Sequence, residues 1–147
     1  MTTPTIPGFW QKILVPTDFS NCSLAALKSA SRLQETSTAQ IVLLHVTEEG
    51  HEGLRIRTED LHDKMRYEAE QTLRKLAKEH FPRPDEIVVQ IEEGRPAETI
   101  CQVAEKEKAD VILIPTHGHT GLKHMLLGSI AEKVVRQAHC DVLVVRQ

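Results

Sequence analysis

Two hydrophobic periodicities alternate along the chain. Short, nearly continuous apolar runs fall at residues 13–15, 41–46, 87–91, 111–114 and 142–145. They are rich in Val, Ile and Leu, which suits strands covered on both faces. Between them, apolar positions recur at helical spacing. The first set is Ala26, Leu27, Ala30 and Leu33, with Ser20 and Asn21 as candidate N-caps. The second is Met65, Ala69, Leu73 and Leu76, on a strongly charged segment that stops at the Phe-Pro-Arg-Pro of residues 81–84. Ala97, Ile100, Cys101 and Ala104 form the third, opened by Pro96. Ile130, Ala131, Val134, Val135 and Ala138 form the fourth.

The predicted order is β-α-β-α-β-α-β-α-β, without an internal repeat. Residues 1–11 read as a Thr- and Pro-rich lead-in pinned by Phe9 and Trp10, and residues 12–147 as a single domain. Strands joined through helices pair in parallel with right-handed crossovers, so the expected fold is an open, doubly wound α/β sandwich. Ligands of such sheets bind beyond the strand C-termini, at the point where strand order reverses. The loops after the first, second and fourth strands are therefore the places to look. The polar connection 47–58, with Gly50 and Gly53, is a candidate flap.

Composition narrows the function classes. The chain has 147 residues, 40% of them hydrophobic and 27% charged, which fits one globular domain and excludes disorder. No stretch approaches the roughly 18 uninterrupted apolar residues of a membrane helix. A net charge of −3 argues against a general nucleic-acid binder. Cys22, Cys101 and Cys140 include no closely spaced pair, which argues against a disulfide scaffold or a zinc ribbon and for a reducing compartment. With no secretory pattern in the first residues, the expected location is cytoplasmic.

Two loops carry candidate chemistry. After the first strand, Asp18 would stand at the carboxyl edge of the sheet, where a carboxylate accepts hydrogen bonds from ribose hydroxyls or holds a metal. The plainer alternative is that Asp18 or Ser20 caps the following helix. After the fourth strand, Gly118 and Gly121 are followed by Gly128 and Ser129 at the start of the last helix. Glycines admit a phosphate close to the backbone, and helix-start N–H groups attract anions. Here the alternative is that the glycines make turns and Ser129 caps the helix. There is no GxxxxGK[ST] loop, and no GxGxxG follows the first strand. His117, His119 and His124 are close in sequence, but nothing makes them converge on a metal, and none is expected. His45, within a strand run, reads as a hydrogen-bonded core histidine. Cys140 reads as packed and residues 59–78 as a solvated helix face.

Taken in order, the segments KILVPTDFS (12–20), LLHV (43–46), GRPAETI (94–100), ADVILI (109–114), THGHTG (116–121), LGSIAEKV (127–134) and CDVLVV (140–145) resemble the universal stress protein family. The resemblance implies a five-stranded parallel sheet of order 3-2-1-4-5, flavodoxin-like, with helices on both faces. It also implies a homodimer, and the last strand, a strongly apolar sheet edge, would place Val142 and Val144 at its interface. Members that bind ATP or AMP carry G-x2-G-x9-G-[ST] after the fourth strand. Here the last three positions are Gly118, Gly128 and Ser129, but the first is Pro115. Carried over by position, Asp18 would contact ribose and Val46 would pack on adenine, with Pro16 and Thr17 lining the base pocket. Gly118, Gly128, Ser129 and Ile130 would hold the phosphates. The implied ligand is ATP or AMP, with Mg2+ as an optional companion, and no catalytic residue or metal ligand is assigned.

The expected role is an adenine-nucleotide-binding module in stress response or regulation. The alternatives are an interaction dimer whose site is closed by Pro115, and a weak ATPase. Against the last, no general base paired with a positioned nucleophile is evident, so at most slow hydrolysis is expected.

Overall fold

A computed structural model describes residues 9–48, 59–118 and 126–146. Its strands are β1 (Lys12–Pro16), β2 (Gln40–Thr47), β3 (Val88–Glu93), β4 (Val111–Pro115) and β5 (Asp141–Val145). They form one five-stranded sheet of order β3-β2-β1-β4-β5, and every pair is parallel. The helices are α1 (Leu24–Thr36), α2 (Glu59–His80), α3 (Pro96–Lys106) and α4 (Ser129–Gln137), with a 3-10 turn at Pro84–Glu86. The doubly wound architecture is the one the alternation of elements predicts, and the strand order is the one the family resemblance implies. The flap segment lies outside the described residues from 49 to 58, as do residues 1–8 of the lead-in.

Strand alternation divides the core into two layers. Ile13, Val15, Leu43 and Leu113 point to one face, where Ala26, Leu27 and Ala30 of α1 and Ala69, Leu73 and Ala77 of α2 cover them. Leu14, Val42, Leu44 and Ile112 point to the other, under Ile100 and Val103 of α3 and Ala131 and Val134 of α4. Only the central strands are buried on both faces. The edge strands β3 and β5 are partly exposed, because neither has a neighbour beyond it to support a covering helix.

Three local expectations change. Helix α1 starts at Leu24 with Ser23 as its N-cap, later than Ser20 and Asn21 would place it. The intervening residues form a turn instead, in which the Ser23 and Leu24 amides donate to the carbonyls of Ser20 and Asn21. On α2 the buried stripe is Ala69, Leu73 and Ala77, while Met65 is 43% exposed. The first turns of α2 reach the end of β3, where His62 lies 3.4 Å from Glu93, and the covering stripe begins a turn later. The charged face of α2 is solvated as expected. At the other end of the sheet, the Trp10 indole donates to Asp141, and the Gln11 and Lys12 amides donate to Asp110, so the lead-in is tied to the strand starts.

Gln34 is 1% exposed, the least solvated amide side chain of the core. Its Nε2 donates to the Arg83 carbonyl at 3.0 Å and its Oε1 accepts from the Arg83 amide at 3.1 Å. The Arg83 guanidinium in turn donates to the carbonyls of Gln34 and Ser37 at the end of α1. Gln34→Ala strips both backbone groups of Arg83 of their partner. It should lower unfolding stability by about 1–3 kcal/mol in a urea titration.

Candidate functional site

Strand β1 is hydrogen-bonded to β2 from Lys12↔Gln40 to Pro16↔Leu44, but to β4 only at Ile13↔Val111 and Leu14↔Ile112. The reason is chemical. The Thr17 amide donates to Leu44 of β2 and the Thr116 amide donates to Val145 of β5. Since amide direction alternates along a strand, the nitrogens of Pro16 and Pro115 face the β1–β4 gap. The next two bonds of that ladder would need the N–H of Pro16 and then of Pro115, and proline has none. The strands part there. Helix α1 leaves β1 towards one face and α4 leaves β4 towards the other, so the gap widens into a cleft of about 210 Å³.

The nine positions that the family resemblance assigns to a nucleotide site all line this cleft, while Gly121 lies outside the described residues. Pro16, Thr17 and Asp18 come from the end of β1, and Val46 from β2. Pro115 and Gly118 follow from β4, and Gly128, Ser129 and Ile130 from the start of α4. The sequence reading missed Glu48, Ile100, Ile114 and Thr116, which also contribute to the walls. Ile114 and Ile100 belong to a strand and a helix whose facing is set only by the register. His117 lines the cleft as well, whereas His119 and His124 lie outside the described residues. Among the described residues no three potential ligands cluster for a metal.

The turn after β1 is built around Thr17 and Asp18. Thr17 is 5% exposed, and its hydroxyl bonds to Ser23 Oγ at 2.8 Å and accepts from the Phe19 amide at 3.1 Å. Thr17 therefore supports the cleft wall with its hydroxyl turned inward. Asp18 Oδ1 accepts from the Ser20 amide at 2.9 Å and from the Ser20 hydroxyl. Between them Phe19 has φ 64°, a left-handed conformation that an L-residue with a bulky side chain rarely adopts and that costs roughly 1–3 kcal/mol. Asp18 thus supports its own loop and does not cap α1. His45 is half-buried and bonds to the Thr17 carbonyl, which bears out its reading as a hydrogen-bonded histidine.

Opposite Asp18, the glycines make room by close approach. A Cβ on Gly118 would lie 2.8 Å from Asp18 Oδ2, and one on Gly128 would lie 3.1 Å from the Thr116 carbonyl oxygen. Gly128 is the N-cap of α4, and among the described residues no side chain caps that helix. Ser129 is its first residue and does not cap it, contrary to the plainer alternative. The first turn of α4, whose amides have no intrahelical acceptor, therefore borders the cleft through Gly128, Ser129, Ile130 and Ala131. Among the described residues the walls carry carboxylates, Asp18 and Glu48, and no lysine or arginine.

A doubly wound α/β domain with a ligand-sized cleft at its switch point is the class these features define. The family model of universal stress proteins matches residues 10–146. Universal stress protein MJ0531 of Methanocaldococcus jannaschii is 37% identical over 143 residues, covering 95% of this chain and 84% of the relative. MJ0577 of the same organism is 35% identical, covering 94% of this chain and 96% of the relative. Its solved structure has a TM-score of 0.79, covering 93% of this chain and 96% of that one. Two more distant solved universal stress proteins share the fold. One, in complex with cAMP, is 24% identical with a TM-score of 0.70, covering 92% of this chain and 97% of that one. The other, from Arabidopsis thaliana with AMP bound, is 18% identical with a TM-score of 0.61, covering 93% and 92%. The chain belongs to the universal stress protein family.

Cys101 on α3 and Cys140 before β5 are half-buried against the same core layer. Burial pushes both thiols above their ordinary pKa, and each is raised further by a neighbouring negative group, Cys140 for Cys101 and Asp141 for Cys140. A raised pKa leaves less thiolate at neutral pH. Cys101 and Cys140 should therefore alkylate with iodoacetamide more slowly than free cysteine at pH 8, and the difference should shrink as pH rises. Mass-resolved peptide labelling measures both rates.

Proposed function

We propose that this protein binds ATP or AMP in the β1–β4 cleft and acts as a nucleotide-responsive homodimer in stress response or regulation. The observation that supports this best is the convergence of nine residues from four separate segments on one cleft that ends at the start of α4, which no side chain among the described residues caps. In this reading the Asp18 carboxylate accepts from the ribose hydroxyls, Val46 packs on the adenine, and Pro16 and Thr17 complete the base wall. The phosphates meet Gly118, Gly128, Ser129 and Ile130. With no lysine or arginine in the described walls, the α4 amides and the Ser129 hydroxyl supply the attraction. The cAMP- and AMP-bound family members show that this fold accommodates adenine nucleotides elsewhere in the family.

Mg2+ fits as a companion of the phosphates and not as a resident ion. Asp18 and Glu48 are the only carboxylates in the described walls, and Asp18 Oδ1 is already bonded to Ser20. Mg2+ keeps most of its waters and takes one or two carboxylates together with phosphate oxygens. Mg2+ titrated alone should give no heat, and chelating it should weaken ATP binding more than AMP binding.

Calorimetric titration of ATP and AMP tests the site. Ser129→Ala should lower affinity by about 1–3 kcal/mol through loss of a donor to a charged phosphate. Gly128→Val should abolish binding, with thermal unfolding followed alongside because its side chain meets the Thr116 backbone. Pro115→Gly should leave affinity equal or higher and lower stability slightly, since it returns an N–H but loosens the unfolded chain. Binding by Pro115→Gly alone would favour the interaction dimer with its site closed by Pro115. ATP turnover should be slow at most, and a rate no higher than the buffer blank would exclude the weak-ATPase alternative.

For assembly, β5 is an edge strand with Val142 and Val144 half-buried and Leu143 39% exposed. Such an edge invites pairing with a second copy. Light scattering at micromolar concentration should give twice the 16.5 kDa chain mass. Val144→Lys should shift it to the monomer.

A further inference from the structure

The face of the sheet away from the cleft carries a contact that bears on Asp18. Val46 lines the cleft, so by strand alternation its neighbour His45 projects to the opposite face. There its ring lies on that of Phe19, with centroids 4.1 Å apart and planes 21° from parallel. The Nδ1 of the same ring is 2.9 Å from the Thr17 carbonyl oxygen. A carbonyl only accepts, so Nδ1 carries the proton and donates. Thr17 and Phe19 are the two chain neighbours of Asp18. One side chain of β2 therefore holds both, the first by a hydrogen bond and the second by stacking. The left-handed φ of Phe19 needs such support, because the turn would relax if the ring were released.

We infer that His45 and Phe19 are positioning residues: from the far face of the sheet they fix the turn that aims the Asp18 carboxylate into the cleft, and so set its preference for a sugar with vicinal hydroxyls. The identity of that sugar rests on the adenine-nucleotide reading above. A merely space-filling His45 would need only bulk, whereas a brace needs the Nδ1 donor and the ring.

His45→Leu keeps the bulk and removes both features, His45→Asn restores a donor, and Phe19→Leu removes the stack. In the ligand-free protein, amide exchange at Phe19 and Ser20, followed by NMR, should rise about tenfold in His45→Leu while Leu43 and Ile112 stay as in the parent. Phe19→Leu should act in the same direction, and His45→Asn should return towards the parent. In titrations, the parent's preference for ATP over 2′,3′-dideoxy-ATP should fall about fivefold in His45→Leu, through weaker ATP binding with dideoxy-ATP binding unchanged. Unchanged exchange at Phe19 and Ser20, or an equal rise at Leu43 and Ile112, would overturn the brace. Faster exchange at the turn with an unchanged ATP preference would overturn its part in sugar selection. A parent that binds neither nucleotide would overturn the adenine-nucleotide reading instead, and the exchange result then decides the brace alone.

Discussion

Strands β1 and β4 are neighbours for two residue pairs and then separate, and the site depends on that separation. Pro16 and Pro115 withhold the two amides that would continue the ladder, each at the end of its own strand and each facing the other. Neither proline disturbs its second neighbour, since β1 continues its bond to β2 through Thr17 and β4 to β5 through Thr116. The gap is therefore made without weakening the rest of the sheet. A proline in the middle of either strand would have broken a ladder bond. At the ends, it determines where pairing stops and a cleft begins.

What surrounds the gap follows from the winding. The chain leaves β1 for one face and β4 for the other, so α1 and α4 diverge and the amides at the start of α4 are left open at the cleft. Beneath, the strand side chains of two apolar layers hold the strand ends in place. Above, the turn after β1 is held by local hydrogen bonds of Thr17, Ser20 and Ser23 and by one from His45 of β2. Asp18, on the β1 side of the cleft, and Ser129, at the start of α4, stand on opposite sides of the gap over this apolar floor.

Much of this was legible in the residues. The alternation of apolar runs with helical stripes predicted the element order, and the family resemblance implied the strand order and the nine residues that line the cleft. Other features needed three dimensions. The left-handed turn at Phe19 has no glycine to announce it, so the start of α1 was expected too early, at Ser20 or Asn21. Met65 fits the helical period as well as Ala69 does, and only the position of α2 over the sheet edge decides which is covered. Pro115 stands out in the sequence as a departure from the family pattern, yet its pairing with Pro16 across the gap depends on register. Ile100 and Ile114 escaped for the same reason, because periodicity does not say which buried residue borders a void, and Glu48 is an exposed residue just past β2 that no pattern marks.

The most direct test of the account is a map of amide and methyl NMR shifts as ATP is added to the isotopically labelled protein. The account predicts that the large shifts cluster at Val46, Gly118, Gly128, Ser129 and Ile130, on both sides of the gap. The second, more polar groove between Arg74, Lys78 and Asp85 should stay unshifted. Shifts centred on that groove, or none at saturating ATP, would contradict the account.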